Sequence, residues 1–298
     1  MSSLAKSATP PQVSPIQPVE LKLDSVFQFR CHKDIACFNA CCRNIDLQLT
    51  PYDILQLKNR LGLTSSEFVA RYTVPFEMDA HGMPGLKMTT KPGTSECIHL
   101  TEEGCGVYED RPAACRYYAL GNVAVRKKDA GEIEDAYFVV RETHCLGHEE
   151  PHEQSVAEYR VEQSLDKYDE MNSHWRRLIL KKRSAGPTVG SPSERSLQLF
   201  DMCSYDLDSF REFVQNSKFK EIVDLPPEQE QELMGNEEGL LKFAMSFLEQ
   251  VLFGIGSVKV RLGAREKRIR ERQAVWAQRR QQQVTKHKAD LQKQQYGE

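Results

Sequence analysis

No apolar run in this chain is long enough for a secretory signal or a membrane span, which excludes an exported or membrane-spanning reading and points to the cytoplasm. No strong charge imbalance is present either. A formal net charge of -3 gives no global attraction to nucleic acid or to an anionic membrane surface, so no nucleic-acid partner is expected. There is no Ser-His-Asp order, no glycine-rich phosphate loop and no H-E-x-x-H helix, so no independent catalytic machinery is legible. Internal repeats are also lacking. Apolar residues nevertheless make up 40% of the 298 residues, enough for at least one full core in one or two domains.

Cysteine is what the chain has in unusual concentration. Cys31, Cys37, Cys41 and Cys42 fall within twelve residues, and Cys97, Cys105, Cys115 and Cys145 follow, leaving Cys203 alone downstream. In a reducing compartment structural disulfides are disfavoured, so clustered thiols point to metal or redox chemistry; a secreted disulfide scaffold is set aside. The spacings are Cys31-x5-Cys37-x3-Cys41-Cys42, then Cys97-x7-Cys105-x9-Cys115. Structural zinc takes four tetrahedral ligands, usually from closely spaced knuckles, whereas iron–sulfur clusters accept four thiolates at more varied spacing. Eight thiolates satisfy two four-ligand sites, or one cluster and a remainder. Adjacent Cys41 and Cys42 are expected to point in different directions and to serve different metals or different irons. A radical-SAM C-x3-C-x2-C is not met, because the position that would complete it is Asn44. His32, His99, His144 and His148 are candidate substitute ligands, and Arg30, Arg43, Arg111 and Arg116 are cations beside the thiols. Cys203 is expected to behave as a small apolar residue.

The expected fold class is α+β: a small loop-rich cysteine-cluster domain with short helices and a hairpin, packed with a mostly α-helical C-terminal half. Residues 1–20, with proline at positions 10, 11, 15 and 18, read as a disordered leader; 21–150 as the metal-binding domain; 151–260 as a helical region; and 261–298, with eleven Lys and Arg, as a basic helical or disordered tail. Leu23, Phe27 and Phe29 form a strand or an extended lead-in. Thr50-Pro51 with Asp53 and Gly62 marks the two ends of a helix, and Thr64 to Glu67 begins a second with a capping box. Residues 75–93 read as a loop-rich connection with an edge strand at Leu86-Lys87-Met88. Residues 121–126 and 135–141 read as a hairpin around Asp129-Ala130-Gly131. Val156, Tyr159, Leu165, Tyr168, Met171, Trp175, Leu178 and Ile179 predict one long amphipathic helix ending near Lys182. Residues 184–192 form a loop, with helical patterns following near Leu197–Met202, Leu207–Val214 and Leu233–Phe253.

Phe29-x-Cys31, Cys37-x3-Cys41-Cys42, Leu49-Thr50-Pro51-Tyr52-Asp53-Ile54, Cys97-Ile-His-Leu-x4-Cys105-x-Val-Tyr108-x2-Arg111-Pro112-x2-Cys115-Arg116 and Cys145-x-Gly147 resemble the YkgJ-type cysteine-cluster proteins, a zinc- or iron-chelating domain family. The likeness covers about residues 25–150, and the cysteine pattern is also similar to that of flagellin lysine methylases. The resemblance implies a metal held by the eight cysteines: an iron–sulfur cluster with a redox-type role, or a structural zinc in an interaction module. An oxidoreductase or methyltransferase-like activity, and a redox or protein partner, are implied by the family alone. The wider gap from Cys31 to Cys37 and the helical second half depart from shorter family members.

Overall fold

A computed structural model describes residues 15–17, 19–79, 82–126, 133–184, 193–255, 257–263, 266, 273 and 280–285. Most of the expected leader and basic tail, the hairpin turn at 127–132 and the loop at 185–192 lie outside the described residues. In chain order the first half carries β1 (Val26–Gln28), β2 (Gln48–Leu49), α1 (Pro51–Leu61), α2 (Ser65–Tyr72), β3 (Thr73–Glu77) and β4 (Pro84–Met88). Then come β5 (Leu100–Thr101), β6 (Gly104–Cys105), α3 (Ala113–Tyr117), β7 (Leu120–Arg126), β8 (Ile133–Val139) and β9 (Glu153–Ser155). The helices α4 (Val156–Glu162), α5 (Leu165–Ser184), α6 (Glu194–Tyr205), α7 (Leu207–Gln215), α8 (Ser217–Ile222), α9 (Pro227–Gly235) and α10 (Glu237–Phe253) follow. Short antiparallel sheets beside many helices make the fold α+β. Among the described residues no helix is long and apolar enough to cross a membrane.

The chain divides into two compact units, residues 1–47 with 88–169 and residues 48–87 with 170–298. In the first, β1 pairs antiparallel with β9, Phe27 opposite Gln154, and β7 pairs with β8 from Leu120↔Val139 to Arg126↔Ile133. Alternation along β1 and β8 turns Phe27, Tyr137 and Val139 inward, where they meet Phe29, Leu120, Val156, Tyr159 and Leu165 in one apolar core. Phe27 and Phe29 both meet the Tyr159 ring edge-on, at 5.4 and 6.1 Å between centroids.

The single helix expected over 156–182 is two helices. Gln163 and Ser164 interrupt it, with Ser164 in the left-handed region at φ 55°. At about 100° per residue, Tyr159 and Leu165 would leave a straight helix on different faces. The break lets both enter the same core, 2% and 0% exposed.

In the second unit the ends of α1 form as expected. Thr50 Oγ1 accepts the Asp53 N–H, Asp53 Oδ2 accepts the Thr50 N–H at 2.8 Å, and Gly62 closes the helix at φ 65°. Thr64 and Glu67 make the same reciprocal pair on α2. The strand at Leu86-Lys87-Met88 is not an edge: β4 lies between β2 and β3, because residues 73–77, expected to lead into loop, form the outer strand. α1 packs with α6 and α10 and α2 with α7, while Phe210, Phe213, Phe219, Phe243 and Phe247 form an aromatic cluster among α7, α8 and α10. The pattern expected over 233–253 is split by Asn236, whose side chain accepts the Gly239 N–H and starts α10 afresh. Buried Lys58 donates to Glu237 Oε1 at 2.6 Å and Asp208 Oδ2 at 3.4 Å.

Candidate metal centre

Eight of the nine cysteines lie in the first unit, and none of the nine forms a disulfide. Cys203 belongs to the second unit, in α6, and is fully buried in an apolar environment that pushes its thiol well up.

The first cysteine segment is shaped by backbone turns. Phe29 N–H donates to His152 O and Arg30 N–H to Gly147 O, fixing the chain that leaves β1. Phe38 then donates to Ile35 O and Ala40 to Cys37 O, and Asn39 takes the left-handed conformation at φ 64°. That residue starts a 3-10 turn over Ala40–Cys42, which presents Cys41 and Cys42 side by side with their sulfurs 3.8 Å apart. The expected divergence of this pair is therefore partial: the sulfurs touch, yet their other neighbours differ.

Two further segments close on this turn. Cys97 N–H donates to Cys42 O at 2.8 Å, and Leu100 N–H to Cys97 O, so that Leu100 faces Cys105 across β5 and β6. Gly104, at φ 126°, lets the Phe38 ring approach to 3.2 Å from where a β-carbon would stand. After β8 the chain returns through Cys145, and the Leu146 N–H donates to Cys37 Sγ at 3.2 Å. Cys31, Cys37, Cys41 and Cys145 line a single cavity of about 30 Å3 together with Phe29, Asn39, Tyr118, His144 and Gly147.

The thiols respond to burial and to one another. Cys31 is pushed up to about 11, first by burial and then by Cys41, Cys37 and Cys145 nearby. The contact between the Cys41 and Cys42 sulfurs lowers Cys41 to about 7 and raises Cys42, which also feels burial, Cys115 and Cys97. Burial raises Cys97 and Cys105; it also raises Cys145, against the lowering effect of the Tyr118 hydroxyl beside it. Cys41 apart, like charges and low dielectric hold these groups as thiols, and a cation would reverse that balance. Among the described residues no three His, Cys, Asp or Glu side chains stand tightly enough to hold an ion without moving. The chemistry of the donor set nonetheless fits zinc or iron: soft sulfur ligands, several of them partly buried, four of which share one cavity lining.

The histidines divide. His148 lies with Nδ1 3.2 Å from Gln28 O and Nε2 2.9 Å from Val140 O, so both nitrogens are engaged by backbone. His32 pairs with Glu150 at 3.3 Å, His99 is buried away from the cavity lining, and His144 lines the cavity while pairing with Glu142 at 3.6 Å. Of the four arginines, Arg111 is the cation that both Cys31 and Cys105 feel. It stacks on Tyr108 at 4.0 Å and donates to Tyr108 O and Gln163 Oε1. Arg116 is turned instead to the carbonyls of Arg111, Gln163 and Glu109, with its guanidinium over Tyr168. Arg43 pairs with Glu96 at 2.7 Å, and Arg30 is exposed. Sequence reasoning passed over Tyr118 and Asn39, which carry no spacing signal, and did not see that Gly147 is required by its close contact with Phe29.

Residues 30–146 match a family model, CxxCxxCC, described as a candidate zinc- or iron-chelating domain. No curated protein and no solved structure matches the chain.

Proposed function

From the match of residues 30–146 to the CxxCxxCC family model, described as a zinc- or iron-chelating domain, we propose that Cys31, Cys37, Cys41, Cys42, Cys97, Cys105, Cys115 and Cys145 are metal ligands, that the metal is an iron–sulfur cluster, and that its role is redox with a protein partner. The observation that carries this reading is the convergence of Cys31, Cys37 and Cys41 with Cys145, more than a hundred residues on, around one cavity. All-sulfur donors at irregular spacing suit a cluster, and the Phe29 and Tyr118 rings, 6.3 Å apart, supply the apolar surround that tunes one. Such a cluster, when bound, supplies one-electron transfer. Arg111 offsets the negative charge that Cys31 and Cys105 acquire as thiolates, the Leu146 N–H donates to Cys37, and Tyr118 lines the cavity beside Cys145.

A second reading, a structural zinc site, is favoured by the size of the cavity. About 30 Å3 accommodates one ion without expansion. Anaerobic purification separates the two. Iron and acid-labile sulfide in comparable amounts, with broad visible absorption, support the cluster; a colourless protein with zinc supports the alternative. Folded protein that retains neither metal overturns both. Cys203→Ser serves as the control and keeps the wild-type metal content; loss of metal there would overturn the ligand set.

A further inference from the structure

We infer that residues 15–17 and 19–21 form a releasable strap: paired with the edge of β8 that faces away from β7, they hold the Cys145 arm of the cavity in place, and their release opens the thiols to an entering or departing metal ion. The inference rests on the reading of this cavity as a metal centre and adds how that centre is entered.

The end of β8 is held from both sides. Toward β7, Val140 N–H donates to Ala119 O at 2.8 Å. On the opposite edge Gln17 N–H donates to Val139 O at 2.9 Å, Arg141 N–H to Pro15 O at 2.8 Å and Leu21 N–H to Tyr137 O at 2.8 Å, with Ile16 opposite Val140 and Leu21 opposite Tyr137 in antiparallel bridges. Strand alternation thus gives the backbone groups of Tyr137, Val139 and Arg141 to the strap and the Val140 N–H to its other neighbour. Just beyond Arg141, the Glu142 carbonyl accepts the Cys145 N–H at 3.0 Å, and His144 and Cys145 line the cavity. The strap therefore fixes the point from which the Cys145 arm departs.

Little apolar burial holds the strap down. Ile16 and Val19 are 50% and 64% exposed, Gln17 is exposed, and of the described strap residues Leu21 packs against the core of this unit. Proline at positions 15 and 18 supplies no N–H, so this strand offers fewer donors than an ordinary one. A segment kept by a few backbone hydrogen bonds and one apolar side chain opens locally at far lower cost than the core behind it. β8 itself stays paired to β7 from Leu120↔Val139 to Arg126↔Ile133, so release leaves the hairpin standing and loosens its exit toward Cys145.

The test compares the full chain as wild type, as Gln17→Pro, which removes the N–H donated to Val139 O, and as Gln17→Ala, which keeps that N–H and alters an exposed side chain. Amide hydrogen exchange is read at Tyr137, Val140 and Arg141, and iodoacetamide labelling of Cys145 is read on reduced, metal-free protein. Gln17→Pro is expected to speed exchange at Tyr137 and Arg141, and labelling of Cys145, by roughly two- to tenfold, the equivalent of one hydrogen bond. Val140 exchange, labelling of buried Cys203 and all readings on Gln17→Ala should match wild type. Metal-loaded Gln17→Pro should lose its metal to EDTA faster by the same factor. Unchanged exchange at Tyr137 and Arg141 overturns the strap; faster exchange without faster labelling, or faster labelling with wild-type metal release, overturns its control of the cavity. A folded wild type that takes up no metal overturns the metal reading, while the labelling still decides whether the strap governs access to the thiols. Should Gln17→Pro fail to fold, wild-type exchange decides: Tyr137 and Arg141 should exchange faster than Val140, and equal protection at all three overturns the release.

Discussion

A β-carbon at Gly147 would stand 2.6 Å from Cε2 of Phe29 and 2.9 Å from the Arg30 carbonyl oxygen, and the carbonyl cannot rotate away. Gly147 O meanwhile accepts the Arg30 N–H at 2.9 Å, so this contact seats the Cys145 segment against the Cys31 segment. Gly147→Ala is therefore expected to destabilise the first unit by about 1–3 kcal/mol, the usual cost of overpacking, and to lower metal per chain. Thermal unfolding checks it: a melting temperature equal to wild type would sink the claim. At this scale the cysteines were legible because their density has no packing explanation. Gly147 was not, because its reason is a Phe29 ring that sequence distance conceals.

Carboxylates joining α1, α7 and α10 give the helices their own pH signature. Partial burial by itself would raise Asp208, but the Ser65 N–H and hydroxyl, Lys58 and Arg211 hold it below the ordinary carboxylate range. Glu237 is likewise lowered against its burial by Lys58, Asn59 and Arg211. A depressed carboxyl contributes fully above its unfolded value and loses that contribution as pH falls through its lower folded one. The stability of the helical unit should thus be flat from neutrality to about pH 5 and decline below about pH 4. Asp208→Asn should shallow that decline in acid titrations followed by circular dichroism; an unchanged acid limb would contradict the assignment. The caps at Thr50 and Thr64 could be read directly, since a capping box is a local reciprocal bond. The interruption at Ser164 could not, because the apolar spacing continues through it and only the shared core of Tyr159 and Leu165 requires the turn.

On the scale of the whole chain, the cysteine sequence and the cysteine unit are different things. Residues 48–87 lie between Cys42 and Cys97 in sequence but fold with the C-terminal helices. If metal binding stabilises the first unit, chelation should open residues 30–47 and 88–145 to protease while 48–87 stay resistant, because α1 and α2 are held by α6, α7 and α10. Cleavage spread evenly over 30–145, or no new cleavage, would refute this coupling. Helical periodicity and thiol spacing are local signals, and neither records which unit a segment joins. The chain passes from one unit to the other at 47/48, at 87/88 and again at 169/170. Consequently no truncation at a single point yields either unit whole. A polypeptide released after residue 169 would carry every cysteine except Cys203, yet leave Leu55, Leu57 and Phe68 without the helices that cover them, an invitation to aggregate. During synthesis the ribosome must likewise deliver α10 before the first helices made can be buried.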